Sequence, residues 1–236
     1  MSFLTAKWRM LAFANYPVDP ALLTPYVPPA TELDTWEGAP YVSLIGFLFD
    51  DVRLLGVRVP FHTSFEEVNL RFYVRRKVAG QWRRGVVFIR EIVPKPAISF
   101  VANTLYDEAY STIPMWHRWS ERETERSVSY HWRTGGQWQS FGITAERDLT
   151  DIEGGGATEF FTEHYWGYAR ARRGRTTEYE VTHPRWRQYG VKDWQIDVDF
   201  GANYGNAFAF LKQRTPASVF LANGSPITIE GKRTIT

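Results

Sequence analysis

The chain has 236 residues, 44% hydrophobic and 16% aromatic, with ten Trp and a net charge of +2; that supports one sizeable core and gives little long-range pull toward nucleic acid or an anionic membrane. It has no Cys, which excludes disulfides, thiolate metal sites and cysteine nucleophiles. Only six of its 28 basic residues are lysine (Lys7, Lys77, Lys95, Lys192, Lys212 and Lys232), so candidates for amine chemistry are few and the always-charged arginine dominates.

The first ten residues, MSFLTAKWRM, carry two early cations and no long apolar run. No stretch approaches the roughly 18 uninterrupted apolar residues of a membrane span, so the expectation is a cytoplasmic protein. Trp8 to Asn15 reads as a strand. Asp19-Pro20 starts a short helix, with Asp as cap and Pro at the first helical position, and Pro25 stops it. Ala39–Phe49 is a very apolar strand. Gly80 turns the next strand into Gln81–Ile92, its hairpin partner.

After Pro94 and Pro96, Ala97–Tyr110 has helical spacing through Ile98, Val101, Ala102 and Leu105. Arg126–Arg133 and Gln137–Ala145 flank Gly135-Gly136 as a hairpin. Thr158–Arg170 reads as a helix carrying Phe161, Tyr165 and Tyr168. Thr176–Thr182, Gln195–Phe200, Asn206–Lys212 and Ser218–Ile229 read as strands. No linker or fixed-period repeat divides the chain, so the expectation is a single α+β domain, mainly antiparallel β, over residues 1–236.

The segment FHTSFEEVNLRFYVRR, Phe61–Arg76, carries the functional signal. Its centre alternates, with Phe65, Glu67, Asn69, Arg71 and Tyr73 on one face and Val68, Leu70, Phe72 and Val74 on the other. An acid, an amide, a guanidinium and a phenol in a row suit the wall of a ligand cavity. Neighbouring members of that face lie about 7 Å apart and the outer pair of the first three about 13 Å apart. Glu67 and Arg71 therefore pair along the strand only with strain; Asn69 bridges them, or each pairs with another strand.

This run, the GVVFI that follows it, EFFTEHYWGYA, HPRW and SVFLANGSPITI together resemble the YqjF-like bacterial family, a domain of unknown function placed with the acetoacetate-decarboxylase-like fold. The resemblance covers most of the chain. It implies a large antiparallel β-barrel or cone around a small-molecule cavity. Acetoacetate decarboxylases carry a Pro-Lys-Lys element whose first lysine forms a Schiff base, and the YqjF-like family has Leu-Pro-Tyr there. This chain has Glu108-Ala109-Tyr110, leading to Met115, which sets Tyr110 at the lysine position. A phenol cannot form the adduct.

The expected catalytic pair is Glu67, a general acid or base, and Arg71, a two-pronged anchor for a carboxylate or enolate. Asn69, Tyr73, Tyr110, Met115 and a rim His62 are expected to bind the ligand. The bland alternatives are a structural charge network for Glu67 and Arg71, core packing for Tyr110, and an incidental surface residue for His62. The five histidines form no metal-binding motif, and no metal or cofactor is expected. Lys212, on a strand with Phe208 and Phe210, is the reserve amine; Ser225 lacks the setting of a nucleophile elbow. The Trp–Arg-rich segments carry matching acids and read as solvated surface or a subunit contact, with Trp116, Trp119 and Trp186 marking a homodimer face.

The leading reading is a protein that binds a small acidic or carbonyl metabolite, with proton-transfer or hydration chemistry and no lysine adduct. A non-enzymatic sensing or protein-interaction module is the alternative, and a barrel filled solid would leave a purely structural protein.

Overall fold

The computed structural model describes residues 2–236. The strands are β1 (Leu4–Pro17), β2 (Glu32–Leu33), β3 (Tyr41–Leu54), β4 (Phe65–Val78), β5 (Gln81–Val93), β6 (Tyr110–Thr112), β7 (Met115–Glu121), β8 (Glu125–Thr134), β9 (Gln137–Asp151), β10 (Trp166–Ala171), β11 (Arg175–Thr182), β12 (Arg187–Asp197), β13 (Ser218–Ile229) and β14 (Arg233–Ile235). The α-helices are short: α1 (Pro20–Leu23), α2 (Pro96–Leu105), α3 (Ala157–Thr162) and α4 (Phe200–Tyr204). Among the described residues no helix is long and apolar enough to cross a membrane.

The main path of the sheet runs β14-β11-β10-β5-β4-β3-β1-β13-β12-β9-β8-β7, and a further pairing of β11 with β13 closes seven of the strands into a barrel-like ring. Pairing round the ring is antiparallel except where β10 meets β5 in parallel. Four of the remaining strands, β12, β9, β8 and β7, continue beyond β13, and β14 flanks β11.

β4 sits between two hydrophobic clusters. Val68, Leu70, Phe72 and Val74 pack with Tyr130, Trp132, Phe141 and Phe208, whereas Phe65 and Tyr73 belong to a second cluster with Phe13, Ile45, Phe161 and Trp186. The expected alternation is present, and both faces are buried. Each large apolar side chain so removed from water contributes about 1.5–3 kcal/mol. Gly46 on β3 lets the Tyr130 ring come close, since a Cβ there would lie 2.7 Å from its Cδ2.

The Gly135-Gly136 hairpin joins β8 and β9, and Asp19 caps α1 by accepting from the Ala21 amide. Several boundaries differ from expectation. The helix expected over Ala97–Tyr110 ends at Leu105, and Tyr110 opens β6. Thr158–Arg170 is not one helix: α3 stops at Thr162 and β10 begins at Trp166. Gly167 has to lie flat against the Tyr179 ring, where a Cβ would come 2.1 Å from Cζ, and strand pairing with β11 provides that approach.

Asn206–Lys212 is not a strand either. It lies in a 3₁₀ segment, Asn206–Gln213, whose three-residue turn buries Phe208 and Leu211 and leaves Phe210 exposed. Lys212 is exposed there rather than set in an apolar face. Trp186 is buried, with its indole donating to Ser225 Oγ at 2.9 Å, so it cannot belong to an exposed aromatic face with Trp116.

Candidate functional site

Inside the ring lies a cavity of about 60 Å³ to which every ring strand contributes lining. At about 10–15 Å³ per water position, that is room for roughly four to six waters. Glu67, Asn69 and Arg71 of β4 project into it, joined by Glu91 of β5, Tyr110 of β6, Tyr179 of β11 and His164 after α3. Glu67 is 2% exposed and Arg71 8%.

A bulge places Glu91. β4 and β5 shift register after Leu70, so that Leu70 faces Arg90 while Arg71 faces Phe88. Ile89 is the extra residue. Val86 and Phe88 face inward before it; past it the alternation inverts, and Glu91 lines the cavity instead of Arg90. Tyr110 then comes beside Glu91 through the parallel pairing of β6 with β5.

The polar groups form two hydrogen-bonded sets. Asn69 Nδ2 donates to Glu67 Oε1 at 2.9 Å and Tyr110 Oη donates to Glu67 Oε2 at 3.1 Å. Tyr179 Oη donates to Glu108 Oε1 at 2.7 Å. Arg71 pairs with no carboxylate among the described residues. It donates one bond, from Nη2 to the Phe161 carbonyl at 3.1 Å, and its guanidinium lies over the Phe13 ring, 5.3 Å from the centroid. Asn69 Oδ1, Arg71 Nε, Glu91 Oε2 and His164 Nδ1 are buried without a partner. Such a concentration of unsatisfied atoms in one hollow is costly in a plain core and expected where polar contents belong.

Burial sets the protonation. It lifts the Glu67 carboxyl from 4.5 to about 7, against the opposing hydrogen bonds of Asn69 and Tyr110 and the charge of Arg71. Burial also lifts Glu108 to about 8 and pushes Glu91 well above the usual carboxylate range, helped by the charges of Glu108 and Glu67. Tyr110 and Tyr179 are raised by burial, so both phenols remain hydrogen-bond donors. Burial holds His164 down at about 4; its Nε2 faces Asp34 Oδ2 at 3.3 Å, and Arg84 Nε binds that same oxygen at 2.6 Å. The site at neutral pH thus holds a permanent cation, a neutral imidazole and acids poised to exchange protons.

Of the residues expected from sequence, Glu67, Asn69, Arg71 and Tyr110 meet in this cavity. Tyr73 lies on the same face but outside the lining, bonding Ser43 Oγ at 2.6 Å and packing on Phe161 and His164. His62 lines a neighbouring apolar space. Met115 does not reach the cavity: it pairs with Trp132 across β7 and β8 and packs against the other cluster, because β6 ends at Thr112 and Pro114 precedes a new strand. No lysine lines the cavity.

Glu91, Glu108, Tyr179 and His164 were not anticipated. The one signal for Glu91 was an acid within the apolar run VVFIREIV.

Comparison with known proteins agrees with this architecture. A family model described as an uncharacterized conserved protein matches residues 5–226. The uncharacterized protein YqjF of Bacillus subtilis (strain 168) is 38% identical over 71 residues, which is 30% of this chain and 29% of YqjF; the match spans less than a third of that relative. Among solved structures, the acetoacetate decarboxylase of Legionella pneumophila superposes with a TM-score of 0.66 at 13% identity, covering 98% of this chain and 87% of that one. An acetoacetate decarboxylase-like enzyme from Sphingomonas wittichii RW1 gives 0.67 at 12%, with 100% and 94% coverage. The enduracididine biosynthesis enzyme MppR, with HEPES bound, gives 0.69 at 14%, with 100% and 89% coverage. At these identities the likeness establishes a shared fold.

Proposed function

The chain belongs to the DUF2071 family of uncharacterized conserved proteins, and we propose that it binds a small acidic or carbonyl metabolite inside the ring and moves a proton on it. The buried guanidinium of Arg71 carries this reading: it has a single hydrogen bond, to a main-chain carbonyl, and faces a hollow. A cation without a counter-ion is costly to bury, and a ligand carboxylate or enolate oxygen would compensate it through the free donors. Glu67, with its pKa at about 7, is suited to give or take a proton near neutral pH. Asn69 and Tyr110 orient that carboxyl through their bonds to its two oxygens.

One of the structural neighbours, MppR, has been captured with pyruvate, a ligand of the size and charge this hollow would take. The chemistry differs from a lysine-adduct route, since no lysine lines the cavity.

A thermal-shift panel of pyruvate, acetoacetate and related short carboxylates tests the proposal. A member that stabilises the wild type should bind Arg71→Met about 10- to 100-fold more weakly, the worth of a charge-assisted hydrogen bond. Glu67→Gln should retain binding and lose any turnover. Equal binding by Arg71→Met refutes the anchor. Saturable binding with no product in the wild type would make the protein a sensor.

A further inference from the structure

Beside the polar cavity lies a second space of about 200 Å³, between α2 and the end of β3. Ile98, Val101 and Ala102 form one side and Val52, Leu54 and Val59 the other. Apart from His62, Glu108 and three tyrosines, its wall is aliphatic or phenyl. The two spaces share Phe49, Tyr110, Tyr179 and Ile229, so the partition consists of the same phenols that bond Glu67 on one side and Glu108 on the other.

The segments that flank this space also expose apolar side chains: Phe61 is 88% exposed and Phe100 70%, and Leu55, Val57 and Leu105 are exposed as well. Phe61 lies in the β3–β4 connection and Phe100 on α2, the two segments that flank the space.

We infer that the ligand is amphipathic: its carboxylate or carbonyl head occupies the polar cavity and an unbranched apolar tail runs past Tyr110 into the larger space. This rests on the reading of the inner cavity given above and extends it to the class of molecule recognised. The inner hollow, with room for a few heavy atoms, accepts the head alone, and the outer one is more than three times larger. Glu108 accepts the Tyr179 hydroxyl and, with burial lifting its carboxyl to about 8, is mostly uncharged at pH 7, so a hydrocarbon chain lying against it meets a largely neutral carboxyl. The exposed rings on the two flanking segments offer such a chain apolar surface outside the cavity.

The test is a homologous series of straight-chain carboxylates, acetate to decanoate, titrated by ligand-observed NMR at pH 7 against wild type, Ala102→Trp and Arg71→Met. In the wild type, affinity should rise about fourfold per methylene, the gain for burying each CH₂, and level off when the outer space is full. Ala102→Trp, which fills that space, should flatten the series and leave acetate unchanged. A flat wild-type series with acetate bound would overturn the tail proposal and leave the head site intact. A slope that survives in Ala102→Trp would overturn it too, placing the chain elsewhere. The same slope in Arg71→Met with every member about 10- to 100-fold weaker would support both tail space and anchor, whereas affinities equal to wild type across the series would support the tail space and refute the anion anchor. No binding by any member would overturn both.

Discussion

Glu67→Gln isolates the desolvation of the site. Glutamine keeps the shape of the side chain, accepts from Asn69 at one terminal atom and donates to Tyr110 at the other. The Glu67 carboxyl titrates near 7 in the folded protein against an ordinary 4.5, so between those values the native state holds a proton that the unfolded chain has released. Stability must then fall as pH rises through this window and level off above it. At about 1.4 kcal/mol per pH unit, this displacement amounts to about 3 kcal/mol. The glutamine variant lacks the loss. Relative to wild type it should gain about 3 kcal/mol between pH 4.5 and pH 7.5, and the ionised Glu67 no longer raises Glu91 and Glu108, which acts in the same direction. Urea unfolding followed by tryptophan fluorescence at half-unit pH steps measures the difference. If the two proteins differ by a constant amount at every pH, Glu67 ionises as if in water and the cavity argument fails.

Two further outcomes follow from the packing. Glu178 is fully buried and is bound by Arg76, Arg83 and Arg233, which tie β11 to β4, β5 and β14; Glu178→Gln leaves three guanidiniums without their shared charge and should cost roughly 3–5 kcal/mol in chemical denaturation, whereas a loss under 1 kcal/mol would mean the arginines are satisfied by solvent. Gly167→Ala places a methyl against the Tyr179 ring and should cost about 1–3 kcal/mol, largely recovered in the double variant with Tyr179→Leu; thermal unfolding of the single and double variants reads this out, and no recovery would locate the clash elsewhere.

The part of the site on β4 was legible because a strand changes face at each residue, and nothing between Phe65 and Tyr73 breaks that count. Glu91 was hidden by the bulge at Ile89: uninterrupted alternation from Val86 and Phe88 would turn Arg90 inward and Glu91 outward. Glu108, Tyr179 and His164 arrive from separate segments that only the sheet topology brings together, and no local pattern encodes such a meeting. The two misread segments each mimic another periodicity. Phe161, Tyr165 and Tyr168 fall at helical intervals although two of them lie beyond the end of α3, and NAFAFLK alternates like a strand although it winds in threes. Hydrophobic spacing identifies what is buried more reliably than the backbone shape that buries it. The ring itself could be expected only from resemblance to a family, since strand count alone fits several all-β and mixed architectures.

The ring is fastened unevenly around its circumference. β1 and β13 are laced together over eleven residue pairs, but β10 meets β5 through two and β11 meets β13 through two more. The β10–β11 hairpin is therefore a clasp, held along both borders by short stitches and pinned from outside by the arginines on Glu178. Local opening favours the segment with the fewest bonds to break, so the wall that carries Gly167 and Tyr179 is the first to breathe, and water would reach the acids from that side.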